Sequence, residues 1–400
     1  MTSSSVSDHR LFLILSRVMF GAFFLFLAST FFSIAVNSLC LGVMALCWAL
    51  IMLVERKWLV ARTPFDWFFL AYLVVQILAT IFSEDVPQSI LFSKRLLLIG
   101  IVYFIATWVN TEIMAKRAMA VLLGSAVVVA LIGLGKLVLG SPGEIVRLGI
   151  FQFYMTTSEL MMIAFLMIVP FAIVPAVPKP LRWTALVALI PVAIALYATV
   201  TRGPLVAALV GAFLIIVIAN RKLVLALLAA TVLAGLFASP YVAGRLESIT
   251  NIHHHDNMTR LMLWRIGIES LKEHPLLGVG DIDLGKLIHE HMRPGDPIEP
   301  LGHMHNIVIQ FLVTHGAFGL TVVLVMFAAI VIAEARIFRR VRSGWFAGTV
   351  VLGSLAVFTG FQISGLTEWS FGDQEIVILF WISVGMALAM NAIVPEPAGA

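Results

Sequence analysis

SPYVAGRLESITNIHHHDNMTRLMLWRIG at residues 239–267, continuing to PIEPLGHMHN at 297–306, forms the one long polar stretch in an otherwise apolar chain. Whether that stretch is a soluble domain or an excursion from a membrane decides the fold. The 400 residues are 61% hydrophobic and only 12% charged, with a mean hydropathy of +1.03. A soluble domain is about half apolar and about a quarter charged. The chain is therefore an all-α polytopic membrane protein, and the polar stretch lies outside the lipid.

Outward from it, the apolar runs become countable. A helix needs about 20 apolar residues to cross about 30 Å of hydrocarbon, with every backbone group bonded internally. The runs fall at 11–28, 32–54, 66–83, 92–109, 118–138, 152–175, 184–200, 204–219, 223–238, 306–333, 345–365 and 375–393. They predict about twelve transmembrane helices. Residues 1–237 would hold spans one to nine, 238–305 a periplasmic segment with amphipathic helices, and 306–400 spans ten to twelve with a short cytoplasmic tail ending VPEPAGA. MTSSSVSDHR carries no small-residue cleavage signal, so the first run is read as a retained span.

Basic residues orient the chain. Arg56, Lys57 and Arg62, Lys116 and Arg117, Lys179 and Arg182, Arg221 and Lys222, and Arg336, Arg339, Arg340 and Arg342 occupy short loops that alternate along the runs. The positive-inside rule puts these loops, and both termini, in the cytoplasm. The net charge of +4 then reflects loop placement and gives no reason to expect nucleic acid. Cys40 and Cys47 share one apolar run, which leaves no disulfide framework for an outer loop.

That orientation strands a second set of cations outside: Lys94, Arg95, Lys136, Arg147, Arg202 and those of the long segment, Arg245 included. A long loop crosses whatever its charge, which covers the segment but not Arg202. Arg202 sits in ATVTRGPLVAALVG (198–211), between two apolar runs with almost no loop. A charge at that depth is a functional candidate because it needs a polar partner or a wet cavity. Pro204 suits a first helical turn, so a span is expected to begin there with its N–H groups and positive pole outward, a ready site for phosphate. Lys94, Arg95, Lys136 and Arg147 are candidates for lipid phosphates or for anchoring at the headgroups.

Within the segment, MTRLMLWRIGIESLKE (258–273) places Leu261, Trp264, Ile268 and Leu271 at helical spacing. This predicts an amphipathic helix lying flat on the membrane. Arg260 and Arg265, five residues apart, are about 140° apart around it, so two roles are open. HPLLGVGDIDLG (274–285) reads as a turn, and LGKLIHEHM (284–292) as a weaker helix. RPGDPIEPLG (293–302) then descends to His303, His305 and Asn306 at the start of the tenth span.

Other polar clusters carry less. His253, His254 and His255, and His289 with His291, lack the separation that lets helical ligands converge on a metal, and Asp281 with Asp283 is too short a pattern. No metal or cofactor is assigned. Glu368 and Asp373 in the last outer loop are candidates only for orienting an arginine or histidine. A transporter or flippase for an anionic or lipid-linked solute is the competing class. It predicts related halves, broken helices and polar residues at mid-membrane; Glu159 and Gln152 are the main residues of that kind.

VTRGP (200–204), TRLMLWRIGIESLKEHPLLGVG (259–280) and HMHNIVIQFLVTHGAFGL (303–320), with RLGIF at 147–151, resemble the O-antigen ligase family. That family shares a superfamily with O-antigen polymerases and protein O-oligosaccharyltransferases. The resemblance covers about 202–320 by motif. It implies a membrane-embedded, metal-independent, inverting glycosyltransferase in the bacterial inner membrane. The donor would be an undecaprenyl-diphosphate-linked glycan at the periplasmic face, and the acceptor the lipid A core. It further implies that His305 is the catalytic histidine, with His303 beside it. Arg202 and one or both of Arg260 and Arg265 would bind the diphosphate, Arg265 being favoured. One dominant outer segment favours ligase over polymerase, by analogy with the family.

Overall fold

The computed structural model describes residues 3–140, 147–236, 244, 251, 253–297 and 301–395. Arg245, most of the first part of the outer segment, and residues 396–400 of the tail lie outside them. The described chain is helical throughout: α1 (Ser3–Ser29), α2 (Ile34–Glu55), α3 (Asp66–Ile81), α4 (Val86–Ser93), α5 (Gly100–Trp108), α6 (Glu112–Leu139), α7 (Tyr154–Ile173), α8 (Lys179–Ala198), α9 (Arg202–Ala219), α10 (Val224–Leu236), α11 (His255–Glu273), α12 (Gly285–Glu290), α13 (Ile307–Val341), α14 (Trp345–Gly365) and α15 (Gln374–Ile393).

Among the described residues, ten helical stretches are long and apolar enough to cross a membrane, against the twelve expected. The difference lies in two runs. α3 spans only 16 residues because Thr63 and Asp66 close a turn before it, the Thr63 hydroxyl donating to Asp66 at 2.6 Å. α10 is described over 13 residues, after a 3-10 turn at Arg221–Leu223. The fourth span is built from α4 and α5, joined by the 3-10 turn Lys94–Ile99.

α7, α14 and α15 are buried along most of their length, with Phe361, Phe380 and Trp381 fully enclosed. They form the centre, and α1, α2 and α6 pack toward the lipid-facing side with many exposed Leu, Val and Ile side chains.

α13 is broken, and the break explains a sequence motif. Gly316 has φ +66° and ψ −172° in mid-helix. There the loop 275–280 enters the helical ladder: Val279 and Gly280 donate to the Val313 and Thr314 carbonyls at 2.9 and 3.1 Å. Ala317 and Phe318, which would ordinarily use those carbonyls, donate instead to Pro275 and Leu276 at 3.0 and 3.2 Å. The exchange leaves no broken-helix group among these unsatisfied, the condition for irregular backbone at this depth. It also demands glycine on both sides. A Cβ on Gly278 would stand 2.3 Å from the Val313 carbonyl oxygen, and one on Gly316 2.3 Å from the Leu276 backbone.

The loop is tied to the end of α3 by Glu84, which donates to the Val279 carbonyl at 3.0 Å. α11 packs on the outer part of α13 through Met262, Leu263 and Ile266. These residues join Leu284, Leu287, Ile288 and Met304 in a second apolar core. At about 1.5–3 kcal/mol per fully buried side chain, this core makes the segment a packed element and not a loose loop. Of the expected stripe of Leu261, Trp264, Ile268 and Leu271, Trp264 packs against that core and the other three do not. Leu261 and Ile268 point outward, each 51% exposed.

Candidate active site

The amino ends of α7, α9 and α11, His305 two residues before α13, and the carboxyl end of α14 meet around a cavity of about 630 Å³. Arg147, Arg202, Arg260, His305 and Glu368 line it. Arg265, His303, Lys94 and Arg95 are absent from its described lining.

His305 is fixed from both sides. Asn306 caps α13, its Oδ1 accepting from the Val308 and Ile309 N–H groups and its Nδ2 donating to the Leu366 carbonyl at 2.9 Å. Met304 donates its N–H to Gln310 at 2.8 Å. Between them His305 adopts φ +45°, a left-handed backbone that costs a non-glycine residue about 1–3 kcal/mol. Val200, just before the other key helix start, has φ +50°. Strain of this kind collects where a fold must aim a side chain.

Glu368 is the hub. Its Oε2 lies 3.1 Å from His305 Nδ1, and its Oε1 accepts from Arg260 Nη2 at 2.8 Å. Burial alone would raise this carboxyl, but the His305 hydrogen bond and the charges of His305 and Arg260 outweigh it and hold the group below the usual carboxylate range. With Glu368 ionised, His305 donates from Nδ1, and Nε2 is left as the basic nitrogen. Arg260 also donates from Nε to the Thr367 carbonyl at 3.1 Å.

Arg202 opens α9, two residues before the expected start at Pro204. Proline is tolerated there because the N–H groups of a first turn have no intrahelical partner. Its guanidinium, 10% exposed, reaches Asp256 at 3.1 Å. Gly203 lets α9 approach the end of α14, since a Cβ there would meet the Thr367 hydroxyl at 2.6 Å. Arg147 braces the same corner. It donates to the Thr199 and Val200 carbonyls at 3.2 and 3.3 Å, and lies over the Tyr154 ring at 3.5 Å.

The remaining candidates sit elsewhere. Arg265 pairs with Glu269 at 3.0 Å and Asp296 at 2.6 Å. His303 packs its ring on that of His305, centroids 4.1 Å apart, and accepts the His305 N–H at Nδ1. Burial first, then the His305 charge, lowers His303 to about 4. Arg95 pairs with Asp281 at 3.5 Å beside a separate small cavity, and Lys94 is exposed in the 3-10 turn. Burial raises the Asp281 carboxyl against the pull of Arg95. Among the described residues, no three His, Cys, Asp or Glu side chains are grouped to hold a metal ion.

Asp256 and Tyr154 were not read as site residues from sequence. Asp256 carried a signal, an acid in a first helical turn. Tyr154 carried none beyond its closeness to RLGIF.

Fold and cavity together define a multi-pass α-helical membrane protein with a charged site at one end of its bundle. Residues 185–324, about a third of the chain, match the family model described as O-Antigen ligase, whose members are glycosyltransferase-type enzymes. No curated protein matches the chain. The matched stretch includes Arg202, Arg260 and His305 and stops short of Glu368.

Proposed function

We propose that this protein is an O-antigen ligase of the bacterial inner membrane. It would transfer a glycan from undecaprenyl diphosphate to a lipid A core at the periplasmic face, with both termini cytoplasmic. The observation that carries the reading is Glu368 joining His305 to Arg260 in a cavity shared with Arg202. The acceptor hydroxyl attacks the anomeric carbon as the bond to the diphosphate oxygen breaks, and the hydroxyl proton passes to His305 Nε2. Glu368 fixes the tautomer and supports the imidazolium that forms, worth about 10²–10⁴ in rate for the base as a whole. The departing diphosphate takes the bonding electrons. Arg202 and Arg260, permanently charged and able to bind two oxygens each, stabilise that charge. Arg147 steadies the backbone before Arg202. In this reading Arg260 takes the diphosphate role that the sequence favoured for Arg265.

Purified protein with a synthetic lipid-diphosphate glycan, a lipid A core acceptor and EDTA should yield joined product. His305→Ala and Arg202→Ala should lose nearly all of it. Robust turnover by either variant removes that residue from the mechanism, and joining of donor units to one another points to the polymerase.

A further inference from the structure

Glu159, in the second turn of α7, belongs neither to the cavity lining nor to any ion pair among the described residues. It is 3% exposed. Its Oε1 accepts from the Ser364 hydroxyl at 3.2 Å and the Ser370 hydroxyl at 2.9 Å, while Oε2 is buried with no hydrogen-bond partner. Those two serines bracket the turn 365–369 that presents Thr367 and Glu368 to Arg260 and His305. One turn earlier on the same helix, Thr156 donates to Asp373 at 3.0 Å, at the far end of the loop. α7 thus grips both ends of the loop that carries the hub carboxylate, and the same helix begins with Tyr154 in the cavity wall. A carboxyl buried this deeply is costly unless its position is needed.

We infer that Glu159 is a positioning residue, clamping the 364–370 turn so that Glu368 meets His305 and Arg260 together. The inference rests on the functional reading above. It deepens that reading by placing part of the catalytic geometry on a membrane-embedded helix 205 residues away in sequence from Ser364.

The test is a double-mutant cycle on the full-length protein in the joining assay, with hydrogen exchange of the 366–373 peptide alongside. Glu159→Gln keeps the accepting oxygen and should stay within about threefold of wild type. Glu159→Leu should lose about 30-fold or more in kcat with little change in KM for the donor, and should speed exchange in the loop. Ser370→Ala should do the same to a smaller extent if Glu159→Leu proves too unstable to purify. In a Glu368→Gln background Glu159→Leu should cost little more, because the group it positions is already disabled. Full additivity, or unchanged loop exchange in Glu159→Leu, overturns the clamp. Absence of joining by the wild-type protein overturns the functional reading. Full activity of Glu368→Gln alone removes the hub from the mechanism and with it the catalytic part of the clamp, and the exchange result still decides whether Glu159 holds the loop.

Discussion

α11 carries two arginines five residues apart, and they sit in opposite circumstances. Arg260 reaches inward to a buried carboxylate that also holds a histidine, in a cavity where three arginines face two carboxylates among the described lining residues. Arg265 reaches outward to Glu269 and Asp296, and Arg293 joins the same cluster through Glu269. Both are ion-pair networks of similar size. Only the inner one joins its cation to a histidine through a shared carboxylate, in a lining where the described arginines outnumber the described carboxylates. The Arg265 pairs are half-buried and touch neither the cavity nor a histidine, so the outer arginine is a brace for the segment.

The sharpest way to break this contrast is to truncate each arginine separately. Arg260→Ala should lower kcat for glycan transfer by about 10²–10³, the scale of removing one preorganised donor. Arg265→Ala should cost less than about tenfold in kcat and should show mainly as a lowered melting temperature, because two half-buried acids lose a cation. Initial rates at saturating donor separate the two, and a reversed order would move the diphosphate site to the outer cluster.

Glu368→Gln comes next. The amide keeps the shape but no longer offers a charge to stabilise the imidazolium, so kcat should fall about 10- to 100-fold. Arg260 would lose its charged partner at the same time, and donor KM should change little if that arginine finds the diphosphate in its place. A Glu368→Gln enzyme with unchanged kcat would show that the hub is only structural.

How far the sequence could lead follows from these same residues. Arg202 stood out because a charge between two apolar runs is expensive, and His305 because it sits at the mouth of a span. The choice between Arg260 and Arg265 depended on the rotation of α11. That helix has two apolar stripes, Met262, Leu263 and Ile266 on one side and Leu261, Trp264, Ile268 and Leu271 on the other. Periodicity cannot say which one packs on α13. Glu368 was legible as a residue that could orient an arginine or a histidine, but not which ones, since its partners lie 63 and 108 residues away and only folding brings them together. The break at Gly316 lies inside an apolar run, where an isolated glycine gives little warning that a loop will replace the helical ladder.

The break also offers a test of intermediate size. α11 can aim Arg260 inward only if the 275–280 loop stays docked in α13. Gly316→Ala or Gly278→Ala would force a Cβ to within 2.3 Å of backbone atoms, on top of about 1–3 kcal/mol for the left-handed conformation. Each should lower the melting temperature clearly and reduce transfer. Gly295→Ala, at φ +94° with open space around it, should suffer only the conformational part. Equal losses at all three would mean the loop insertion is not what holds α11.

The smallest effect expected is on acid stability, and it comes from the ring packed against His305. His303 is lowered to about 4 by burial and then by the charge of His305, whereas an unfolded imidazole titrates near about 6.5. The unfolded chain therefore binds the proton first, and stability falls as pH drops from about 6.5 toward 4. Glu368 acts in the same direction: its folded carboxyl lies below the unfolded value, and its contribution fades as pH falls through the folded one. Asp281 and Asp373, raised chiefly by burial, act oppositely and gain as they protonate. Asp281 and Asp373 are common to wild type and His303→Asn, so the difference between the two reports the imidazole together with its charge coupling to Glu368. His303→Asn should flatten the melting-temperature profile between about pH 6.5 and 4 by a few degrees, on the order of 2 °C per kcal/mol. It should leave the profile above pH 7 unchanged in slope. Parallel profiles would mean that the His303 ring is solvated, and that the inner cluster is as open to water as the outer one.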